Sequence, residues 1–283
     1  MITMMRRILL GLCRAMMLSA GLLSCAPDPE PPQPRRPQFV PKSSDTARVE
    51  RGIRAVPGQN AIRLEWFRNP ERDLAGYRIF RTNEVATDTA LPINFRLLRE
   101  IPLGSQEAVG LPDTVFIDAN VVPDVQYFYQ VEAYTRRGAR SERSLPETFR
   151  LATRVNPRTP IGQLVFSRQD TTIRFEWGKP PFVSGFYVLK LYEFRGFDTF
   201  LEDDCVAMVY DGSSFRDTDT VRINFGQVFQ AQSPVRRLPN GLRVFRRLEN
   251  GVQYRWQVQA FPEDIDRRYG VASEFLGFRV TIN

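Results

Sequence analysis

Asp203 and Asp204 are adjacent carboxylates inside an acid run that also holds Asp198, Glu202, Asp211, Asp217 and Asp219, with Arg216 as its one base. Paired carboxylates can do the acid–base work of glycoside hydrolysis, and oxygen-rich loops bind calcium. Neither chemistry is expected here, because nothing orders the pair and the spacing matches no EF-hand loop. Just upstream, Tyr192, Phe194, Phe197 and Phe200 form an aromatic cluster. It is a candidate platform for stacking sugar rings, or else packing beneath a neighbouring segment. Downstream, Arg222, Arg236, Arg237, Arg243, Arg246 and Arg247 stand in a stretch without a single acid. Three readings of them stay open: docking of an anionic partner through bidentate guanidinium contacts, protection of edge strands, or neutralisation of the acid run.

The 283-residue chain has no histidine and 3 cysteines. This excludes Ser-His-Asp and Cys-His nucleophilic machinery and every histidine-containing zinc or haem site. The cysteines, Cys13, Cys25 and Cys205, are too few for a four-cysteine zinc site or a disulfide framework. No cofactor, metal or enzymatic role is expected, and Cys205 reads as a small apolar residue heading a strand.

Cys25 has a chemistry of its own. Arg6 and Arg7 precede a mainly apolar stretch, Ile8 to Leu23, too short for a good membrane span. It ends at Leu22-Leu23-Ser24-Cys25, which resembles the bacterial lipobox. The resemblance implies a signal peptide over residues 1–24 and diacylation of Cys25, and Ala26 implies the outer membrane. Seven of the fifteen residues from Pro27 to Pro41 are proline, so this stretch is expected to form an extended polyproline segment of roughly 45 Å within a tether over residues 25–48.

The elements that follow come in two copies. Ile62-Arg63-Leu64-Glu65-Trp66 returns as Ile173-Arg174-Phe175-Glu176-Trp177, with four of five positions identical. Val125 to Ala133 returns as Val252 to Ala260, with six of nine identical. A shorter echo pairs Phe116-Ile117-Asp118 with Phe215-Arg216-Asp217. Two copies of one module, joined by a linker near Asn156 to Pro160, explain the pattern. Each copy alternates with period two: Ile62, Leu64 and Trp66 share one face, Arg63 and Glu65 the other. Short alternating strands between Gly, Pro, Asn and Asp turns predict an all-β chain of antiparallel sandwiches.

The core Trp66 and Trp177, Gly76-Tyr77-x-Ile79 and Leu248-x-x-Gly251-x-x-Tyr254-x-x-x-Val258-x-Ala260 resemble the fibronectin type III pattern, an immunoglobulin-like fold. The resemblance covers about 51–153 and, more loosely, 158–282. It implies a tyrosine corner at Tyr254 and, by the repeat, at Tyr127, although Pro123-Asp124 replaces the usual glycine turn there. The expected organisation is therefore a signal peptide (1–24), a tether (25–48), a first fibronectin type III domain (49–155) and a second (156–283). The second carries an insertion at about 220–248, read as a hairpin around Asn240-Gly241. The net charge of +7 then has two sources, the signal and the arginines of that insertion.

The expected function is a non-catalytic envelope protein held to the membrane through lipidated Cys25, presenting tandem modules to a protein partner. The alternative is a surface glycan-binding lipoprotein of a polysaccharide-uptake system. Nucleic acid is not an expected partner, since no recognition motif appears.

Overall fold

The computed structural model describes residues 32–283 apart from 48, 88, 105–111, 167–172, 183–184, 195–204, 216–217, 225–234, 237–249, 263–267 and 283. Residues 33–283 form one compact unit. Its first module contains β1 (Arg54–Ala55), β2 (Ile62–Glu65), β3 (Leu74–Thr82), β4 (Glu84–Val85), β5 (Pro92–Ile93), β6 (Arg96–Pro102), β7 (Val115–Asp118), β8 (Gln126–Thr135) and β9 (Glu147–Leu151). The second contains β10 (Asn156–Thr159), β11 (Gly162–Phe166), β12 (Arg174–Gly178), β13 (Phe186–Phe194), β14 (Cys205–Asp211), β15 (Thr220–Asn224), β16 (Val235–Arg236), β17 (Gln253–Phe261), β18 (Tyr269–Ala272) and β19 (Leu276–Ile282).

In the first module a β1-β2-β7 sheet lies opposite β6-β3-β8-β9; in the second, β10-β12-β15 lies opposite a sheet built on β14-β13-β17. The alternating residues fill the space between the sheets as the pattern predicts. Ile62, Leu64, Trp66, Tyr77, Ile79, Tyr129, Val131 and Ala133 are buried in one core. Phe175, Trp177, Tyr187, Leu189, Leu191, Trp256, Val258 and Ala260 are buried in the other. The equivalent pairs Trp66–Tyr77 and Trp177–Tyr187 meet at 5.3 Å, edge-on, and at 5.4 Å, tilted, and Phe175 meets Trp256 edge-on at 5.2 Å, arrangements that aromatic quadrupoles favour over a face-to-face stack. Serine hydroxyls repeat as well: Ser144 Oγ accepts from Val131 N at 3.0 Å, and Ser273 Oγ from Val258 N at 3.0 Å.

The modules share a sheet. β9 pairs in parallel with β18 through Arg150 and Tyr269, and through Leu151 and Gly270, so one 11-stranded sheet runs through both. The Arg150 amide donates to Arg268 O at 2.7 Å and the Ala152 amide to Gly270 O at 3.0 Å. Around this seam Arg268 pairs with Glu147 at 2.8 Å and the Tyr269 hydroxyl donates to Asp124 at 2.8 Å. Ala272, from the second module, packs into the core of the first. The expected linker near Asn156 to Pro160 is instead strand β10, paired with β12, which leaves only residues 152–155 between β9 and β10.

Three further expectations are corrected. From Gln33 onward the proline-rich tether is part of the folded unit. Phe39 bridges Trp66, the Val40 amide donates to Glu65 O at 2.9 Å and the Phe67 amide to Gln38 O at 2.9 Å. The prolines of this arm flank backbone groups rather than replacing them, so Gln38 and Val40 keep the donors and acceptors that dock it. Gly52 permits the approach: its φ is 74°, and a Cβ there would sit 2.6 Å from Val40 O.

The counterpart of β7 in the second module is β15, Thr220–Asn224, whose Phe175↔Ile223 register repeats Leu64↔Phe116. The echo at Phe215-Arg216-Asp217 is a coincidence of three letters; Phe215 ends a short 3-10 turn, Gly212–Phe215, and packs edge-on against Tyr187. The insertion therefore begins after Asn224 rather than at 220. Between β15 and β17 lie 28 residues, against 7 between β7 and β8. Of this segment Val235-Arg236 forms β16 against β14, and the Asn240-Gly241 hairpin falls outside the described residues.

Buried tyrosines set the alkaline limit of this fold. Burial raises the Tyr77 hydroxyl above its ordinary pKa, and Tyr210 likewise. Tyr129 is raised by burial first and by Asp118 second, to which its hydroxyl donates at 2.9 Å. In the unfolded chain these groups ionise near about pH 10, whereas in the fold they resist. The stability they lend is thus complete below that pH and is lost as pH rises through it. Guanidinium unfolding midpoints measured from pH 8 to 11 are expected to fall steeply above about pH 10; a flat profile would contradict the assignment.

Candidate functional site

Arg63 and Glu65 share the outer face of β2, and the strands that turn Leu189, Leu191, Trp256 and Val258 inward turn Lys190, Tyr192, Gln257 and Gln259 the other way, yet these side chains are not all solvated. Lys190 is wholly buried, and Gln257, Gln259 and Glu65 are nearly so. The arm covers them. Lys190 Nζ donates to Ala47 O at 3.0 Å and pairs with Glu50, whose carboxylate also accepts from Gln259 Nε2. Glu65 takes Arg51 at 2.8 Å, Arg54 at 3.4 Å and the Gly52 amide at 3.1 Å. Behind Glu50, Lys42 and Asp45 form a second buried pair. A buried charge costs several kcal/mol unless paired, and each of these carboxylates answers at least one cation.

Between the two modules this arrangement leaves a cleft of about 310 Å³. One wall is the outer face of the β1-β2-β7 sheet, where Arg54, Arg63 and Ile117 stand side by side in register. Gln257, Gln259 and Tyr192 supply the opposite wall from β17 and β13, with Phe275 beside them and Val49 and Glu50 of the arm closing it. Tyr192 and Phe275 meet edge-on at 5.9 Å beneath the Arg255 guanidinium, 4.7 Å from the Phe275 ring. Arg63 Nε, Gln257 Oε1 and Gln259 Oε1 are buried without a hydrogen-bond partner among the described residues, each at a cost of about 1–3 kcal/mol. The amide of Gln259 cannot simply turn over to correct this, because Glu50 offers only acceptors to its nitrogen. Burial first, then the nearby Arg54, lowers the pKa of Arg63: its charge sits in a desolvated, already positive place.

Sequence reasoning missed this cleft. A signal was available in β13 and β14, where outward-facing Val188, Ala207 and Val209 form a buried cluster with Phe261. Apolar residues on both faces mean a strand covered on both faces, and the lone Lys190 in Val-Leu-Lys-Leu is then a buried cation needing a partner.

The sequence-predicted site residues fare differently. The Tyr127 hydroxyl accepts from Val122 N at 3.1 Å, closing a corner despite Pro123-Asp124, where Asp124 takes a φ of 65°. Tyr254 is buried and stacks on Phe278 at 5.5 Å. Trp66 and Trp177 are core residues. Arg222 points out from β15 but donates to Glu176 at 3.0 Å, an internal pairing that Arg158 joins at 3.7 Å; it is not a free docking group. The backbone of Arg236 lies in β16. Arg237, Arg243, Arg246, Arg247, Phe197, Phe200, Asp203, Asp204 and Cys25 lie outside the described residues, as does the side chain of Phe194. Tyr192 is half-buried and edge-packed, so it does not offer a flat exposed ring. Cys205 begins β14.

No family model matches the chain, and no curated relative matches it. Solved structures do. A Fn3-like protein from Clostridium thermocellum is similar at 16% identity over 40% of this chain and 90% of its own, with a TM-score of 0.26. The fibronectin type-III domain of human fibronectin type III domain containing protein 3 is similar at 15% identity over 43% of this chain and 89% of its own, with a TM-score of 0.27. The FN1-FN3 domains of chicken CNTN1 are similar at 11% identity over 85% of this chain and 69% of theirs, with a TM-score of 0.30. The deciding observations are internal: a three-stranded sheet opposite a larger one in each module, a core tryptophan at the equivalent position of β2's end and of β12, and the closed corner at Tyr127. The fold is fibronectin type III-like. What distinguishes it is the way the arm and the β9–β18 seam join two such modules into one body.

Proposed function

We propose that this chain is a non-catalytic binding or scaffold protein, anchored to a bacterial outer membrane by a lipid on Cys25, that presents two fibronectin type III-like modules to a protein partner of the cell envelope. The observation that carries the reading is the continuous sheet through β9 and β18. Modules on a plain linker move independently by default, whereas these are held in register by main-chain bonds and by the Glu50–Lys190 pair. A fixed pair offers a composite surface to one partner. The signal-like first 24 residues and the Leu22-Leu23-Ser24-Cys25 sequence support export and anchoring, and the arm supports a short lead from anchor to body. The arginines of the insertion, Arg236, Arg237 and Arg243 among them, supply positive charge for an acidic partner face.

Labelling cells with an alkyne fatty acid tests the anchor: the native chain takes up label and Cys25→Ala does not, while retained label overturns it. Crosslinking and pull-down from native membranes test the scaffold reading. An envelope protein is expected to co-purify, and the combined replacement of Arg236, Arg237 and Arg243 by serine is expected to weaken its association as added salt does. Association unchanged by the substitutions overturns the docking role of the arginines, and recovery of no partner overturns the scaffold.

A further inference from the structure

The cleft between the modules has the makings of a ligand site, independently of the scaffold reading. Its charges do not balance internally. Glu65 is taken by Arg51 and Arg54, and Glu50 by Lys190 and Gln259. Arg63, set between Arg54 and Ile117 across β1, β2 and β7, makes no hydrogen bond or ion pair among the described residues, and its Nε is buried unpartnered. A guanidinium so placed calls for an anion, and its planar fork suits a carboxylate. The facing wall asks for the opposite. Gln257 and Gln259, each more than nine-tenths buried, keep Oε1 acceptors that meet no donor among the described residues. Val49, Val56, Pro57, Ile117 and the Phe275 ring supply apolar lining, and about 310 Å³ admits a ligand of monosaccharide or amino-acid size.

We propose that this cleft binds a small carboxylate-bearing molecule that also carries hydroxyl or amide N–H donors, with Arg63 and Arg54 facing the carboxylate and Gln257 and Gln259 facing the donors. Two sources share that chemistry: a sugar acid and the carboxyl end of a peptide. Val49 and Glu50 of the arm line the cleft, so a bound ligand touches the arm and should also hold it against its modules.

Isothermal titration of the full chain in detergent with four probes tests this: D-galacturonate, N-acetylalanine, D-galactose and acetate. At least one of the first two is expected to bind 10-fold or more tightly than galactose, which has donors without a carboxylate, and than acetate, which has a carboxylate without donors. The tighter of the first two names the source. Arg63→Gln is expected to weaken that binding at least 10-fold. Ile117→Trp, which fills the cleft without touching its charges, is expected to abolish it and guards against a folding defect in the arginine variant. No binding of either acid, equal binding of all four probes, or binding untouched in both variants overturns the proposal.

Discussion

Replacing Glu50 by leucine lowers the stability of the folded chain by about 3–5 kcal/mol, far more than an ordinary surface carboxylate would cost. The reason lies in what is left behind. Lys190 has no exposed surface, sits mid-strand in β13 with β14 on one side and β17 on the other, and would retain, among the described residues, only the Ala47 carbonyl. An ammonium in that place must pull the arm aside to admit water. The converse change, Lys190→Met, removes the cation and leaves Glu50 with Gln259 Nε2 and some solvent, so it costs less. Joining the two substitutions replaces a buried pair by apolar side chains of similar reach, a change that is often neutral. The double variant is therefore expected to recover most of the loss. Guanidinium unfolding of the four proteins reads this directly; a Glu50→Leu protein within about 1 kcal/mol of the native chain would mean that the pair behaves as a surface contact.

How much of this was legible beforehand follows from what alternation encodes. A period of two states which residues share a face, and in β2, β3, β8, β12, β13 and β17 the inner sets were the ones buried. It does not state whether the outer face meets water. Arg63 and Glu65 fall on an outer face, as do Lys190, Gln257 and Gln259, and nothing in the repeat itself shows that an arm from outside it reaches these faces. Composition made that arm look like a free tether, since proline cannot donate to a ladder; only the backbone of Gln38 and Val40, between prolines, shows how it docks. The misplaced counterpart of β7 has a simpler cause. Phe-x-Asp is a short match, whereas Val221 and Ile223 inside with Arg222 outside is the alternation that the sheet uses. The seam between β9 and β18 had no signal of this kind, because a parallel pair of two registered positions rests on main-chain groups that every sequence has.

The arm itself yields the second large effect. A chain shortened to begin at Arg51 is expected to unfold at a clearly lower guanidinium concentration than one beginning at Gln33, while the latter matches the chain beginning at Cys25. Burying a side chain such as Val40 contributes about 1.5–3 kcal/mol, and Phe39 and the prolines at 34 and 37 add contact. Against this stands the entropy of ordering the arm, so the net loss is smaller than the sum of its contacts. Lys190 does not enlarge it, because taking away the arm restores water to the ammonium together with removing its partner. That contrast separates the two experiments: losing Glu50 alone strands a charge under cover, whereas losing the arm strips the cover and opens the Phe261 side chain, which lines a small pocket with Asp45 and Glu50. The shortened chain should accordingly bind an apolar dye and self-associate, which Glu50→Leu in its folded state should not. Equal midpoints for the chains beginning at Gln33 and Arg51, with no gain in dye binding, would return residues 33–50 to the role of a tether.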